Sequence, residues 1–196
     1  MSRLPAAQRR EQLLDCALSL FSEHGYARAT TAELAKAAGV TEPIIYRHFA
    51  SKKDLFIALI RRTGERTLTM WEKDLSDAAD PADRLRLLIA DNPMVSDEGG
   101  KEYRVFLQAI TEVDDPQIRD ALRDHIVGLH TFLTQELRTA QGEHKVGPRF
   151  TPDLIAWLLI NIGMGYGVLT AMRIGEHGRD DTGVHVADAI KTLLVG

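Results

Sequence analysis

Apolar residues along this chain recur at intervals of three and four, and no segment alternates apolar and polar residues as a half-buried strand would. This spacing predicts α-helices throughout and excludes a sheet. A capping residue followed by proline marks three helix starts, because proline suits the first turn and the preceding side chain can accept amide protons there. The three pairs are Asp80-Pro81, Asp115-Pro116 and Thr151-Pro152. We therefore predict an all-α fold.

Turn-forming residues between the periodic segments divide the chain into about nine helices. The predicted ranges are 6–24, 31–38, 42–49, 52–78, 81–91, 100–113, 116–141, 152–173 and 184–195. Gly64 lies inside the fourth range, where a glycine costs about 1 kcal/mol relative to alanine. It either allows close packing or marks a bend, and we favour close packing.

The composition is that of a globular protein of one or two domains. Of 196 residues, 44% are hydrophobic and 27% are charged, which excludes disordered and collagen-like chains. A single cysteine, Cys16, allows no intrachain disulfide and no cysteine-based metal cage, as is usual in the reducing cytosol. The first residues contain no apolar signal segment. We expect a cytoplasmic protein with Cys16 buried as a small hydrophobe.

Charge is divided unevenly along the chain. Residues 1–62 hold ten Lys and Arg against six Asp and Glu, whereas residues 63–196 hold fourteen against twenty-two. A basic first part in an acidic chain favours a polyanion as its partner, although chance would explain the asymmetry equally well.

The segment 30–53 has the pattern of two short helices around a tight turn. Thr30 and Glu33 form a capping box, and Gly39 supplies the left-handed residue that ends the first helix. Thr41 can cap the second helix, with Pro43 in its first turn. The pattern predicts a helix-turn-helix.

The second of these helices has one buried side. Ile45 and Phe49, four residues apart, are predicted to point towards the first helix, which offers Leu13, Ala17 and Phe21. The polar residues between them then face outwards. A short helix with such an exposed face fits the major groove of DNA, which is about 12 Å wide.

Residues 6–60 resemble the N-terminal domain of a TetR-family transcriptional regulator. The residues that carry the resemblance are Phe21, Gly25-Tyr26, Thr30-Thr31, Ala35, Ala38-Gly39-Val40, Ile45-Tyr46-Arg47-His48-Phe49 and Ser51-Lys52. The resemblance implies a helical homodimer whose two heads bind the half-sites of a palindromic operator, usually as a repressor that a small ligand releases. It also implies a DNA-binding domain over residues 1–50 and a helical regulatory and dimerisation domain over residues 51–196.

Carried over by position, the resemblance implies eight DNA-binding residues. Phosphate contacts fall to Thr31, Tyr46 and Lys52, and the residues along or beside the groove are Thr41, Glu42, Pro43, Ile44 and His48. Arg47 is expected as a ninth, because helical spacing places it on the exposed face of the second helix. Glu42 can accept a hydrogen bond from a cytosine amino group, but phosphates repel it unless Arg47 or a base pairs with it. Taken singly, Tyr46 could instead pack between helices, and Lys52 and His48 could be solvated surface residues.

The second part of the chain contains nineteen residues without a formal charge, 154–172. Asn161 at the centre, three glycines and the lack of a second such segment oppose a membrane helix. We predict a helix buried on both sides, against its own core and against a twin helix. Together, 152–173 and 184–195 would form half of a four-helix bundle in a homodimer.

An effector pocket is expected among the helices before that interface. Its candidate residues combine aromatic walls with polar groups, as small-molecule sites do, although each aromatic could simply belong to the core. They are Trp71, Tyr103, Phe106, His125, Trp157 and Asn161.

Metal and enzyme sites find little support in the sequence. His125 and His130 are five residues apart and do not share a helix face as a metal pair would. No phosphate loop, nucleophile elbow or HExxH motif occurs. We expect no metal, cofactor or enzymatic activity, and a ligand-responsive repressor binding DNA as a homodimer. The alternative is a helical small-molecule-binding protein whose sequence-specific DNA binding is weak or lost.

Overall fold

The computed structural model describes residues 4–90 and 99–195, and all nine α-helices in this part of the chain follow the predicted order. They are α1 (Ala6–His24), α2 (Thr31–Ala38), α3 (Glu42–His48), α4 (Lys52–Asp74), α5 (Pro81–Ala90), α6 (Gly99–Ile110), α7 (Pro116–Gly142), α8 (Pro152–Ala171) and α9 (Val186–Val195). A short 3-10 helix, Gly175–Gly178, precedes α9. The all-α prediction is confirmed, and residue 91, the predicted end of the fifth helix, lies outside the described residues.

Two helices end three or four residues earlier than the sequence predicts. α4 ends at Asp74 instead of 78, and α6 ends at Ile110 instead of 113. After each end the backbone tightens into bonds three residues long, such as Ser76 N–H to the Lys73 carbonyl at 3.0 Å. The Ser76 hydroxyl also donates to that carbonyl, at 2.7 Å. These turns resemble helix in their spacing, which explains the overestimate.

The three predicted cap-proline pairs all begin helices. Side-chain oxygens of Asp80, Asp115 and Thr151 accept first-turn amide protons at 2.8, 2.9 and 3.3 Å. Another side-chain cap, which was not predicted from the sequence, opens α4: Ser51 Oγ accepts the Asp54 amide proton, and the Asp54 carboxylate accepts the Ala50 amide proton, both at 3.0 Å.

The predicted side-chain cap of α3 is wrong. Thr41 stands at the N-cap position, but its hydroxyl accepts no first-turn amide proton. Pro43 has no N–H to offer, and the Ile44 N–H already donates to the main-chain carbonyl of Thr41 at 2.9 Å. The two positions whose N–H groups an N-cap hydroxyl usually binds, the second and third of the helix, therefore offer it no donor.

The described residues form two compact units. Residues 4–63 and 101–124 make the first, and residues 64–90, 99–100 and 125–195 make the second. The helix-turn-helix thus shares its unit with most of α6 and the start of α7. The functional division at residue 50 stays a prediction.

The first unit is held together by an apolar core and by one buried arginine. Ile45 and Phe49 are both 1% exposed, as predicted, and pack in the core to which α1 contributes its buried face. Arg62 of α4 is buried and binds two carboxylates of α1, Asp15 at 2.7 Å and Glu11 at 3.2 Å. This link between α1 and α4 was not predicted.

Cys16 is only partly buried, which corrects the expectation of a core position. The burial that it has, followed by the negative charge of Asp15, raises the pKa of its thiol.

The second unit has its own core, in which Trp71 and Leu75 of α4 pack with α5, α7 and α8. α9 lies against α5. Arg84 of α5 holds Glu136 of α7 through two hydrogen bonds of 2.6 and 2.8 Å. Gly64 confirms the prediction of close packing, because a Cβ there would lie 2.7 Å from Nδ1 of His125.

Helix α8 is long and apolar enough to cross a membrane, a test that the core helix of a soluble protein also passes. Its buried face contains Ile155, Ala156 and Ile160. The opposite face is exposed in the single chain, with Leu154 and Leu158 each 54% exposed. The structure thus shows one of the two predicted burials, and the twin helix stays a prediction.

Candidate nucleic-acid interface

The turn between α2 and α3 is built by local hydrogen bonds and one left-handed glycine. Glu33 N–H donates to the Thr30 hydroxyl at 3.2 Å, and the Glu33 carboxylate accepts the Thr30 amide at 2.8 Å. Gly39 has φ 64° and ψ 35°, a left-handed backbone conformation that residues other than glycine rarely adopt. The predicted capping box and turn are both confirmed.

Helix α3 presents a polar face because its two apolar anchors are inside. Tyr46 is 49% exposed although it is aromatic. The predicted DNA-binding residues Thr41, Pro43 and Arg47 are also exposed, and the remaining five, Thr31, Glu42, Ile44, His48 and Lys52, are partly exposed. Because this surface is mostly polar, the hydrophobic effect does not favour its burial against the rest of the chain.

Three of the predicted contact residues bind one another. The hydroxyl of Thr31, the first residue of α2, donates to Oε2 of Glu42 at 2.6 Å. The oxygens of Thr31 and Tyr46 lie 3.2 Å apart. Glu42 is thus held by a hydroxyl of α2, a partner that sequence analysis did not predict.

Lys52 is turned towards the chain that precedes α2. Its Nζ donates to the carbonyls of Tyr26, Ala27 and Ala29 at 2.9, 3.3 and 3.0 Å. It also lies 4.6 Å above the Tyr26 ring. An ammonium has three donors, so a phosphate contact by Lys52 requires one of these carbonyls to give way.

Arg10, a basic residue beside this surface, was not predicted from the sequence. Its guanidinium lies 4.9 Å from the ring centroid of Phe49, directly after α3. Two arginines in succession near the start of α1 were the available signal.

The predicted effector residues are divided between the two units. Tyr103 and Phe106 lie in the first unit, stacked with ring centroids 6.3 Å apart. Trp71 and His125 lie in the second, where burial lowers the pKa of His125 to about 4.

The last two candidates, Trp157 and Asn161, are on the exposed face of α8. Trp157 is 38% exposed, and its ring stacks on His130 with centroids 4.2 Å apart. Asn161 donates to the Trp157 carbonyl at 2.8 Å.

Comparison with known proteins agrees with this geometry. Residues 13–59 match the family model described as bacterial regulatory proteins, tetR family. The transcriptional activator FasR of Mycolicibacterium smegmatis is 32% identical over 117 residues, which are 60% of this chain and 53% of FasR. The chain thus spans about half the length of that relative. Nucleoid occlusion factor SlmA of Vibrio campbellii is 33% identical over 131 residues, 66% of this chain and 67% of SlmA.

Solved structures share the fold along nearly the whole chain. A Saccharomonospora viridis protein in complex with choline has a TM-score of 0.79 at 24% identity, covering 95% of this chain and 93% of that one. The fatty acid degradation regulator FadR of Bacillus halodurans has a TM-score of 0.76 at 19% identity, covering 100% and 97%. The chain therefore belongs to the TetR family of bacterial transcriptional regulators, and α2 and α3 form its DNA-binding helix-turn-helix.

Proposed function

We propose that the protein is a ligand-responsive repressor that binds a palindromic operator as a homodimer. The observation that carries the DNA-binding part is the polar, exposed face of α3 above its buried anchors Ile45 and Phe49. Repression follows the usual habit of the family. The relative FasR is named an activator, so the sign of regulation is a separate outcome to be measured.

The proposed dimer rests on the exposed face of α8. Leu154, Leu158, Asn161, Gly165, Val168 and Met172 are all exposed and recur at intervals of four and three. Residues at that spacing lie along one side of a helix and form the seam along which two helices pair. Leu193 of α9 is 84% exposed. An apolar face of this kind on a single chain is unfavourable in water, and a second copy would cover it.

The experiment for DNA binding is selection from a random duplex library, followed by affinity measurements at two salt concentrations. We expect an inverted repeat that is preferred over scrambled DNA by about 1,000-fold or more. Binding that is weak, sensitive to salt and independent of sequence would contradict the proposal. It would favour the alternative of a small-molecule-binding protein without specific DNA reading.

The effector part is tested by thermal shift and operator release. An effector must raise the midpoint of thermal unfolding and weaken operator binding, since it binds a conformation that DNA does not. Choline is the first probe, because a protein of the same fold was solved in complex with it. The sign of regulation follows from transcription of a reporter behind the selected operator, with and without the protein.

A further inference from the structure

The side chain of Glu42 is fixed by a chain of hydroxyl groups. A carboxylate cannot donate, so Thr31 must give its one hydroxyl proton to Glu42 Oε2, at 2.6 Å. Tyr46 must then be the donor in its 3.2 Å contact with the Thr31 oxygen. Tyr46 thus donates to Thr31, and Thr31 donates to Glu42. These two hydrogen bonds fix the position of the carboxylate before DNA binds.

The second oxygen of Glu42 stays open. Among the residues described, no hydrogen bond reaches Oε1, and Arg47 forms no ion pair with Glu42. Glu42 is therefore an acceptor without a basic partner in the first turn of the recognition helix. Any group of the DNA that binds Glu42 in the major groove must therefore donate the hydrogen bond.

Few groups on DNA can donate that hydrogen bond. Phosphate oxygens, purine N7, guanine O6 and thymine O4 are all acceptors and repel a carboxylate. The donors in the major groove are the amino groups of cytosine N4 and adenine N6. Adenine places its N7 acceptor beside the amino group, whereas cytosine places a C–H there. A carboxylate with one open oxygen thus favours cytosine.

We propose that Glu42 is a specificity-determining residue that selects cytosine at one position of each operator half-site. The inference rests on the proposed function, because it needs α3 in the major groove of an operator.

The test repeats the library selection with the full-length protein and three variants. Wild type should require cytosine at one position per half-site, and replacing it by guanine should weaken binding about 10- to 100-fold. Glu42→Gln should shift that position towards adenine, whose N6 and N7 suit an amide. Glu42→Ala should lose the preference there and keep the rest of the operator. Glu23→Gln, which makes the same charge change at an exposed site of α1, should leave every preference unchanged.

The outcomes separate this inference from the proposed function. An inverted repeat with the same base preference in wild type, Glu42→Gln and Glu42→Ala overturns the role of Glu42 and leaves the regulator intact. Equal loss of affinity for all sequences marks Glu42 as structural and overturns it as well. If selection with the wild-type protein yields no inverted repeat, both the role of Glu42 and the proposed function are overturned.

Variants of Thr31 test the fixing of the carboxylate. Thr31→Val removes the hydroxyl at nearly constant volume and should reduce the cytosine preference several-fold. Thr31→Ser keeps the donor and should retain the preference. If valine and serine behave alike, the bond between Thr31 and Glu42 does not set the specificity.

Discussion

Oε1 of Gln108 accepts the backbone amide proton of Tyr26 at 2.8 Å, although the two residues are 82 positions apart. The same side chain donates from Nε2 to the Phe21 carbonyl at 2.9 Å. One carboxamide of α6 therefore binds both the last turn of α1 and Tyr26, two residues beyond the end of that helix. The segment fixed in this way leads directly to Thr31 at the start of α2.

We expect Gln108→Ala to destabilise the first unit by about 1–2 kcal/mol, because two partly buried hydrogen bonds are lost. The Tyr26 amide should exchange faster with solvent, and operator affinity should fall with an unchanged salt dependence, since no charge is removed. Urea unfolding, amide exchange by NMR and binding titrations measure these effects. Gln117→Ala, at an exposed site of α7, is the control. Unchanged exchange at Tyr26 would show that the bond does not hold the segment.

Gly64→Ala should destabilise the protein even though alanine is the better helix former. The new Cβ would lie 2.7 Å from His125 Nδ1, and overpacking of this kind typically costs about 1–3 kcal/mol. Gly128→Ala is the matched control in α7, since its Cβ would meet only Leu68 Cδ1 at 3.4 Å and should be neutral or slightly stabilising. Urea unfolding compares the two. Equal free energies of unfolding for both variants would contradict close packing at Gly64.

The low pKa of His125 predicts a loss of stability in mild acid. The unfolded chain binds a proton at this residue below pH about 6.5, whereas the folded chain stays neutral there until the pH nears the folded pKa of about 4. The contribution is thus complete above pH 6.5 and declines as the pH falls, by about 2 kcal/mol at pH 5.

His125→Asn should reduce this decline between pH 7.5 and 5, measured by urea unfolding at each pH. His144→Asn is the control, because His144 is exposed and asparagine tolerates its positive φ of 59°. A pH dependence identical to wild type in His125→Asn would place the titrating group elsewhere.

Local chemistry explains why the sequence predicted the helix starts and the turn. A capping oxygen acts within three residues, so Asp80 and Thr30 reveal their role in a short window. The failure at Thr41 is also local, because Pro43 in the first turn has no N–H for the Thr41 hydroxyl to bind.

Long-range polar links could not be predicted from one sequence. Gln108 and Arg62 look like ordinary surface residues of amphipathic helices, and their partners lie far away along the chain. The bond from Thr31 to Glu42 crosses a turn whose exact geometry decides it. Recognition of the DNA-binding residues came from a family pattern, which names positions and leaves their partners open.

Leu158→Glu should dissociate the proposed homodimer while leaving the chain folded. Leu158 is 54% exposed in the single chain, so a charge there disturbs little within the protomer. In the dimer the same carboxylate would be buried against a twin helix, where a charge without a partner is strongly unfavourable.

Sedimentation velocity should show monomer for Leu158→Glu and dimer for wild type, with similar circular dichroism. Affinity for the full palindrome should fall towards that for a single half-site, because the two heads are no longer linked. Val113→Glu, an equally apolar exposed site between α6 and α7, should remain dimeric. A Leu158→Glu dimer with the dissociation constant of wild type would place the interface on another face of the protein.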